Sequence, residues 1–393
     1  MRASLLLAGT TGLCLLLAAD GGAQMATPPK ARYYMDVSTA TGPLTGGLRA
    51  MMRGGGESRS LTLSLGSTLA PTGGAAHADH FMPAGAQLGA SVPLATPTPG
   101  TSERAEPTTP GDSQPGRYRR PQGRLLIYWG CGAHAGPGQP VILDFARLAE
   151  GQVPPNLFTA SVPVDSPPSV ATSRTFGYYP AGRAKKPNTS SSIVGDHRVA
   201  GNYSPDIAFS LQQDFLSALH VQAAAQPDGS TALSWNAVTN ATGYYAWAFG
   251  AGQGGDAIWW ASASTRELGG GLWDYVAPAV VQRLIPRGTV LPPTRTSCAI
   301  PAEVKSAQLV TFVNAFGPEA DFAFPPRPAN PRAAWHPDWT AKVRYKSSAM
   351  LVPGMGGAIQ GSQGQGGQGQ GQGQPCRPSV GGMLGGMLGR RRC

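Results

Sequence analysis

Apolar residues recur at every second position in a series of short segments along the chain, the period of strands with one buried face. In residues 32–38, Tyr33, Met35 and Val37 alternate with more variable neighbours, and Leu61, Leu63 and Leu65 alternate with Thr62 and Ser64 until Gly66 ends the run. Residues 87–94, 124–129 and 141–145 add three more apolar runs, so the region 24–162 is expected to hold a first β domain of five strands. Farther along, Leu233, Trp235 and Ala237 fall on one side of an extended segment and Ser234 and Asn236 on the other. A polar turn from Thr239 to Gly243 leads into an aromatic run, and residues 309–316 supply another strand late in the chain.

Between these runs the sequence changes character. Residues 95–122 are full of Pro, Thr, Ser and charge and cannot bury enough apolar surface to offset their ordering entropy, so a disordered insertion within the first domain is expected there. Residues 163–213 read as a linker or wrapping loop, with the aromatic stretch 175–180 docked on a domain. Residues 348–393 are expected to be a disordered tail, Gly/Gln-rich at first and then repeating Gly-Gly-Met-Leu. The chain opens with Met1-Arg2, an apolar stretch and the small residues Gly21, Gly22 and Ala23, the parts of a secretory signal occupying 1–23. Gly9, Thr10, Thr11 and Gly12 interrupt that stretch, leaving it short for a span of about 20 residues. An exported protein, periplasmic or extracellular, without a transmembrane segment after signal removal is the expectation.

Export changes the meaning of the cysteines. Without Cys14 the mature chain keeps Cys131, Cys298, Cys376 and Cys393, which disulfides can join in any of three pairings. Cys131 with Cys298 would staple the amino-terminal region to the later strands, whereas Cys376 with Cys393 would close a loop across the tail. The content of 54 glycines and 37 prolines favours turn-rich β structure. The net charge of +10 is partly carried by Arg377, Arg390, Arg391 and Arg392 in the tail, and no basic stripe is interleaved with stacking aromatics. Nucleic acid is therefore not an expected partner.

The alternation through Leu233, Trp235 and Ala237, followed by Gly243, Tyr244, Tyr245, Ala246 and Trp247, resembles a bacterial fibronectin type III domain over about residues 214–345. The resemblance implies a sandwich scaffold that hosts many unrelated functions. It implies that Tyr244, Ala246 and Ala248 face the core, with Val313 and Ala315 inward on the penultimate strand and Gly317 at the following turn. Tyr245, Trp247 and Phe249 then lie on the opposite face, to be covered by another part of the chain rather than by a ligand, unless the register is inverted and these three form the core. Two departures stand out: no tyrosine precedes Val313 where a tyrosine corner belongs, and the excursion 267–298 is long for a loop of this family. The expected fold class is all-β, two β-sandwich-like domains, the second at 214–347.

Candidate chemistry is sparse. Nucleophile-elbow, zinc-protease and phosphate-loop motifs are absent, and no cofactor is implied. His77, His80, Cys131 and His134 offer zinc-compatible ligand types at a spacing that matches no known framework, and Cys131 beside His134 is a thin case for a thiol nucleophile. The segment from Trp335 to Trp339 reads as aromatic anchoring of the last strand. Five of the eight tryptophans, Trp235, Trp247, Trp259, Trp260 and Trp273, fall close together. Two functions from different classes follow. One is a non-catalytic envelope module acting on an unknown protein or envelope component. The other is a carbohydrate-binding or polysaccharide-processing accessory protein, with Trp259, Trp260 and Trp273 as contacts; a Cys- or metal-dependent enzyme is a minor third. Exposure discriminates, since a solvent-facing row built from Trp259 or Trp260 with Trp273 favours sugar and burial favours scaffolding.

Overall fold

Tyr33, Met35 and Val37 on β1 (Ala31–Gly42) and Leu61, Leu63 and Leu65 on β2 (Gly56–Ser67) all point to one side, because the two strands pair antiparallel with Met35 opposite Leu63. Burying each such side chain contributes about 1.5–3 kcal/mol. The computed structural model describes residues 28–43, 45, 56–97, 123–152, 162, 164–267, 269–306, 308–330 and 333–353. The leader 1–23, residues 98–122 of the insertion, and the tail from 354 with Cys376 and Cys393 lie outside the described residues.

The remaining strands are β3 (Ala78–Phe81), β4 (Ser91–Pro93), β5 (Arg124–Trp129), β6 (Val141–Asp144), β7 (Thr175–Tyr179), β8 (Gly195–Gly201), β9 (Ser204–Leu211), β10 (Val221–Ala225), β11 (Thr231–Trp235), β12 (Gly243–Ala251), β13 (Ala257–Ala261), β14 (Ser297–Ile300), β15 (Val310–Phe324) and β16 (Trp339–Leu351). Among the described residues two short α-helices occur, α1 (Phe145–Ala149), capped by the Asp144 carboxylate, and α2 (Pro278–Leu284), which starts on a proline. The fold is all-β. A nine-stranded sheet runs β6-β5-β13-β12-β15-β16-β1-β2-β7, accompanied by a three-stranded sheet β10-β11-β14 and a four-stranded sheet β4-β3-β8-β9.

The nine-stranded sheet corrects the expected boundaries. β1 pairs in parallel with β16, and β5 pairs in parallel with β13, so strands from 24–162 extend both sides of the strands from 214–347. A single buried cluster joins Tyr33, Met35, Leu63 and Leu65 to Val199, Ile207, Trp235, Tyr244, Trp260 and Val343. The described residues accordingly belong to one compact unit. The stretch 163–213 is no linker either: it supplies β7, β8 and β9, with Ile207, Phe209 and Leu211 alternating into the core. Of the five strands expected in the first region, residues 87–94 yield only the three-residue β4, while β3 arises where none was expected.

Other expectations hold. Leu233 and Trp235 are buried, with the Trp235 ring 5.6 Å from that of Tyr244. Tyr244, Ala246, Ala248, Val313 and Ala315 face the core. Gly317, expected at a turn, lies instead inside β15: past Phe316 the strand shifts register against β16 and continues to Phe324, and a Cβ on Gly317 would lie 2.6 Å from the Tyr345 carbonyl oxygen. Only glycine permits that approach, and the bulge also accommodates Pro318. Cys131 and Cys298 form a disulfide that fixes residues 131–135 against β14, where the Gly132 amide donates to the Ala299 carbonyl. Trp335 donates from its indole to the Pro325 carbonyl, and Trp339 is buried at the start of β16, the anchoring role expected for that segment.

Candidate functional site

Because side chains alternate across a strand, the nine-stranded sheet presents a second face opposite the main core. Tyr245, Trp247 and Phe249 on β12, Trp259 on β13, and Phe312, Asn314 and Phe316 on β15 point there, followed by Lys342, Arg344 and Lys346 on β16 and Tyr34 and Asp36 on β1. Part of this face is covered by the excursion beginning at Glu267. Tyr245 donates from its hydroxyl to the Glu267 carbonyl and Asn314 from its amide to the Leu272 carbonyl. Leu272, Val276, Val281 and Leu284 complete a second apolar cluster with Tyr245 and Phe316. The long excursion is thus a strap, and it covers Tyr245 fully while leaving Trp247 and Phe249 part-exposed.

Beside the strap the rings form a ladder. Trp247 stacks on Phe312 with centroids 4.1 Å apart and on Trp259 at 5.2 Å, each pair within 10° of parallel. These distances put both faces of the Trp247 indole against other rings. Trp273 on the strap leans over the ladder, 5.5 Å from Trp247 and 5.3 Å from Trp259, and remains 44% exposed. Its position depends on Gly269, where φ is +108° and a Cβ would sit 2.0 Å from the indole. The indole N–H groups of Trp247 and Trp259 are buried and have no hydrogen-bond acceptor.

The next two strap residues reach a cluster of charges. Asp274 lies 3.5 Å from the Lys346 ammonium, and the Tyr275 ring takes Lys346 at 4.4 Å and the Arg344 guanidinium at 4.7 Å from its centroid. Arg344 forks onto Asp36 and also donates to the Asp165 carbonyl. Burial pushes Lys346 below the usual lysine range against the opposing pull of Asp274, and burial raises the Asp36 carboxyl despite Arg344. Tyr275 is held well above the ordinary tyrosine value, chiefly by burial and then by Asp36. Trp273, Asp274 and Tyr275 therefore join an apolar ladder to a fixed cluster of charge.

Trp260, expected as a ligand contact, belongs to the main core instead. It is 0% exposed and donates from its indole to the Gly130 carbonyl, because it occupies the other parity of β13 from Trp259. Trp259 and Trp273 do come together. The candidate metal ligands do not: Cys131 is held in the disulfide, His134 bonds Glu303, and His80 bonds His197. Among the described residues no group of three or more His, Cys, Asp or Glu is placed to hold a metal ion.

The His80–His197 contact was not evident from sequence, although His197 shares the inward parity of Val199. Tyr33 Oη is 2.5 Å from His80 Nδ1, His80 Nε2 is 2.9 Å from His197 Nδ1, and His197 Nε2 is 2.7 Å from the Ile193 carbonyl. The carbonyl only accepts, so His197 carries its proton on Nε2 and accepts at Nδ1. His80 must then donate from Nε2 and accept the Tyr33 hydroxyl at Nδ1. The chain of bonds is complete with both rings neutral, and burial lowers both imidazoles, His80 the more. This closed arrangement pins β1 to β3 and β8 and offers no free catalytic atom. Comparison with known proteins finds no matching family model, no significantly similar curated protein and no significantly similar solved structure.

Proposed function

We propose that this chain is an exported, non-catalytic interaction module, and that its binding face is the aromatic ladder with the strap residues Trp273 and Asp274. The observation that carries this reading is the stacking of Trp247 between Phe312 and Trp259, which spends the broad ring faces on one another and leaves edges outward. Pyranose rings need a free planar face; ring edges beside Trp273 and its part-exposed neighbour Asp274 suit the mixed apolar and charged surface of a protein partner. The disulfide supports an oxidising compartment. The scaffold is read as fibronectin type III-like, since β10-β11-β14 packs through Leu233, Trp235 and Ile300 on the β12 and β15 portion of the larger sheet.

The sugar-binding reading retains one favourable observation, the half-exposed Trp273 next to a carboxylate. A photo-crosslinking residue placed at Trp273 in the producing cell, compared with one at the exposed Val170, tests the protein reading. A discrete adduct with a protein at position 273 only is expected. Equal labelling at both positions, or retention of polysaccharide by the purified chain that Trp273→Ala abolishes, overturns it.

A further inference from the structure

Among the described residues the three sheets have six outer edges, and five are guarded. β7 is bridged by Ala95, whose N–H and C=O both bond Tyr178, and β14 is covered by residues 131–135. β4 has three residues and ends on Pro93, β9 carries Pro205 and Asp206, and β6 follows Pro140 and ends at the cap Asp144. Proline, charge and a covering segment are the usual means of keeping sheet edges from pairing with another chain.

Among the described residues β10 has none of these. Its residues are Val221, Gln222, Ala223, Ala224 and Ala225, all but the first exposed, with no charge, proline or bulge. The ladder shows which backbone groups remain free. The Trp235 amide donates to Thr296 on the β14 side and the Ser230 carbonyl accepts from the Gln226 amide on the β10 side. N–H and C=O of one residue point to the same edge and successive residues alternate. Gln222 and Ala224 therefore bond β11, and the backbone groups of Val221, Ala223 and Ala225 point away from it. No described strand pairs with that side.

We propose that β10 pairs antiparallel with β10 of a second copy of this chain, the two-fold axis passing through Ala223. The outward residues are spaced evenly about Ala223, so Ala223 meets Ala223 of the second copy and Val221 meets Ala225 in hydrogen-bonded pairs. Small uncharged side chains meet throughout, with no like-charge contact. The same register sets His220 of each copy opposite Gln226 of the other, with Asp228 two residues farther on in the turn, so an imidazole and a carboxylate rather than two like charges share each end of the self-paired ladder. The contact is isologous and closes at a dimer, since it consumes the free edge of both copies. The three-stranded sheets of the two copies become one continuous six-stranded sheet, β14-β11-β10-β10-β11-β14.

Analytical ultracentrifugation of the full mature chain from about 1 to about 200 µM tests this, because mass action reveals a dimer of moderate affinity over that range. A reversible monomer–dimer equilibrium is expected. Ala223→Pro removes an outward N–H without touching the β11 ladder and is expected to weaken the dimer about tenfold or more at an unchanged urea midpoint. The double variant Ala223→Lys, Ala225→Lys is expected to do the same by charge, which keeps the test decisive if the proline variant does not fold. Ile142→Lys on β6 is expected to leave association unchanged. A monomer throughout, a dimer indifferent to the lysine pair, or a dimer lost in Ile142→Lys overturns the proposal.

Discussion

Arg344 on β16 and Asp36 on β1 hold each other through two parallel hydrogen bonds of 2.7 Å, Nε to Oδ1 and Nη2 to Oδ2, with the guanidinium 1% exposed. Removing one partner of such a pair leaves the other charged and buried, which costs about 3–5 kcal/mol. Asp36→Ala is expected to lose that much in urea unfolding. Arg344→Lys should also be strongly destabilised, since an ammonium cannot fork onto the carboxylate or reach Asp165 as well. The double change Asp36→Leu, Arg344→Met should recover most of the loss; a double variant no better than Asp36→Ala would show that the pair contributes more than charge balance.

The buried His80–His197 pair sets a pH dependence whose sign follows from its neutral state. Both imidazoles lie below their ordinary value in the folded chain, so the unfolded chain takes up protons first as pH falls. Stability is complete above the unfolded value near 6.5 and declines as pH drops through it toward the folded values, approaching about 1.4 kcal/mol per pH unit for each imidazole. Urea midpoints between pH 7.5 and 5 should show this slope. The double variant His80→Leu, His197→Leu should be less stable at pH 7.5 and nearly flat over the same interval; an unaltered slope would assign the effect to other groups.

Strand character was legible wherever one face of a strand is apolar and the other polar. The runs at Leu61 and Leu233 became β2 and β11 for that reason, and the continuous apolar run at Leu125 became β5 inside the large sheet. The parallel pairing of β1 with β16 was not legible, because it joins Ala31 to Trp339 and leaves no local mark. The inward alternation of Ile207, Phe209 and Leu211 was present in the sequence, yet its Pro- and Ser-rich surroundings disguised β9 as linker. At the candidate site, Trp259 and Trp260 are adjacent in sequence and opposite in space, so composition named both while strand parity chose one. Asp36 was hidden among the variable neighbours of Tyr33 and Met35; nothing local announces a partner 308 residues away.

The Cys131–Cys298 disulfide closes a loop with a sequence separation of 167 residues. Loop-closure entropy alone would make it worth up to about 5 kcal/mol, with typical measured values of about 2–4 kcal/mol. Cys131→Ser with Cys298→Ser is expected to lower thermal and urea stability by an amount in that range. Mass spectrometry of non-reduced peptides should recover the 131–298 link from the native chain. Its absence, or a double variant as stable as the parent, would refute a stabilising bridge.

Gly269 offers a way to move Trp273 without deleting it. An added Cβ would meet both a positive φ and the indole 2.0 Å away, so Gly269→Ala must either displace the ring or distort the turn. Backbone strain of this kind costs about 1–3 kcal/mol. Displacing the ring uncovers Trp247 and Trp259, whose buried indole N–H groups lack acceptors and would gain water, offsetting part of that cost. Gly269→Ala should therefore destabilise less than the steric conflict alone suggests, while raising iodide quenching of tryptophan fluorescence and shifting emission to the red. Trp273→Ala should raise quenching of the remaining tryptophans in the same way, through loss of the cover itself. If quenching is unchanged in both variants, the ladder is shielded by something other than Trp273, and the binding face proposed for it must be redrawn around the charged cluster at Lys346.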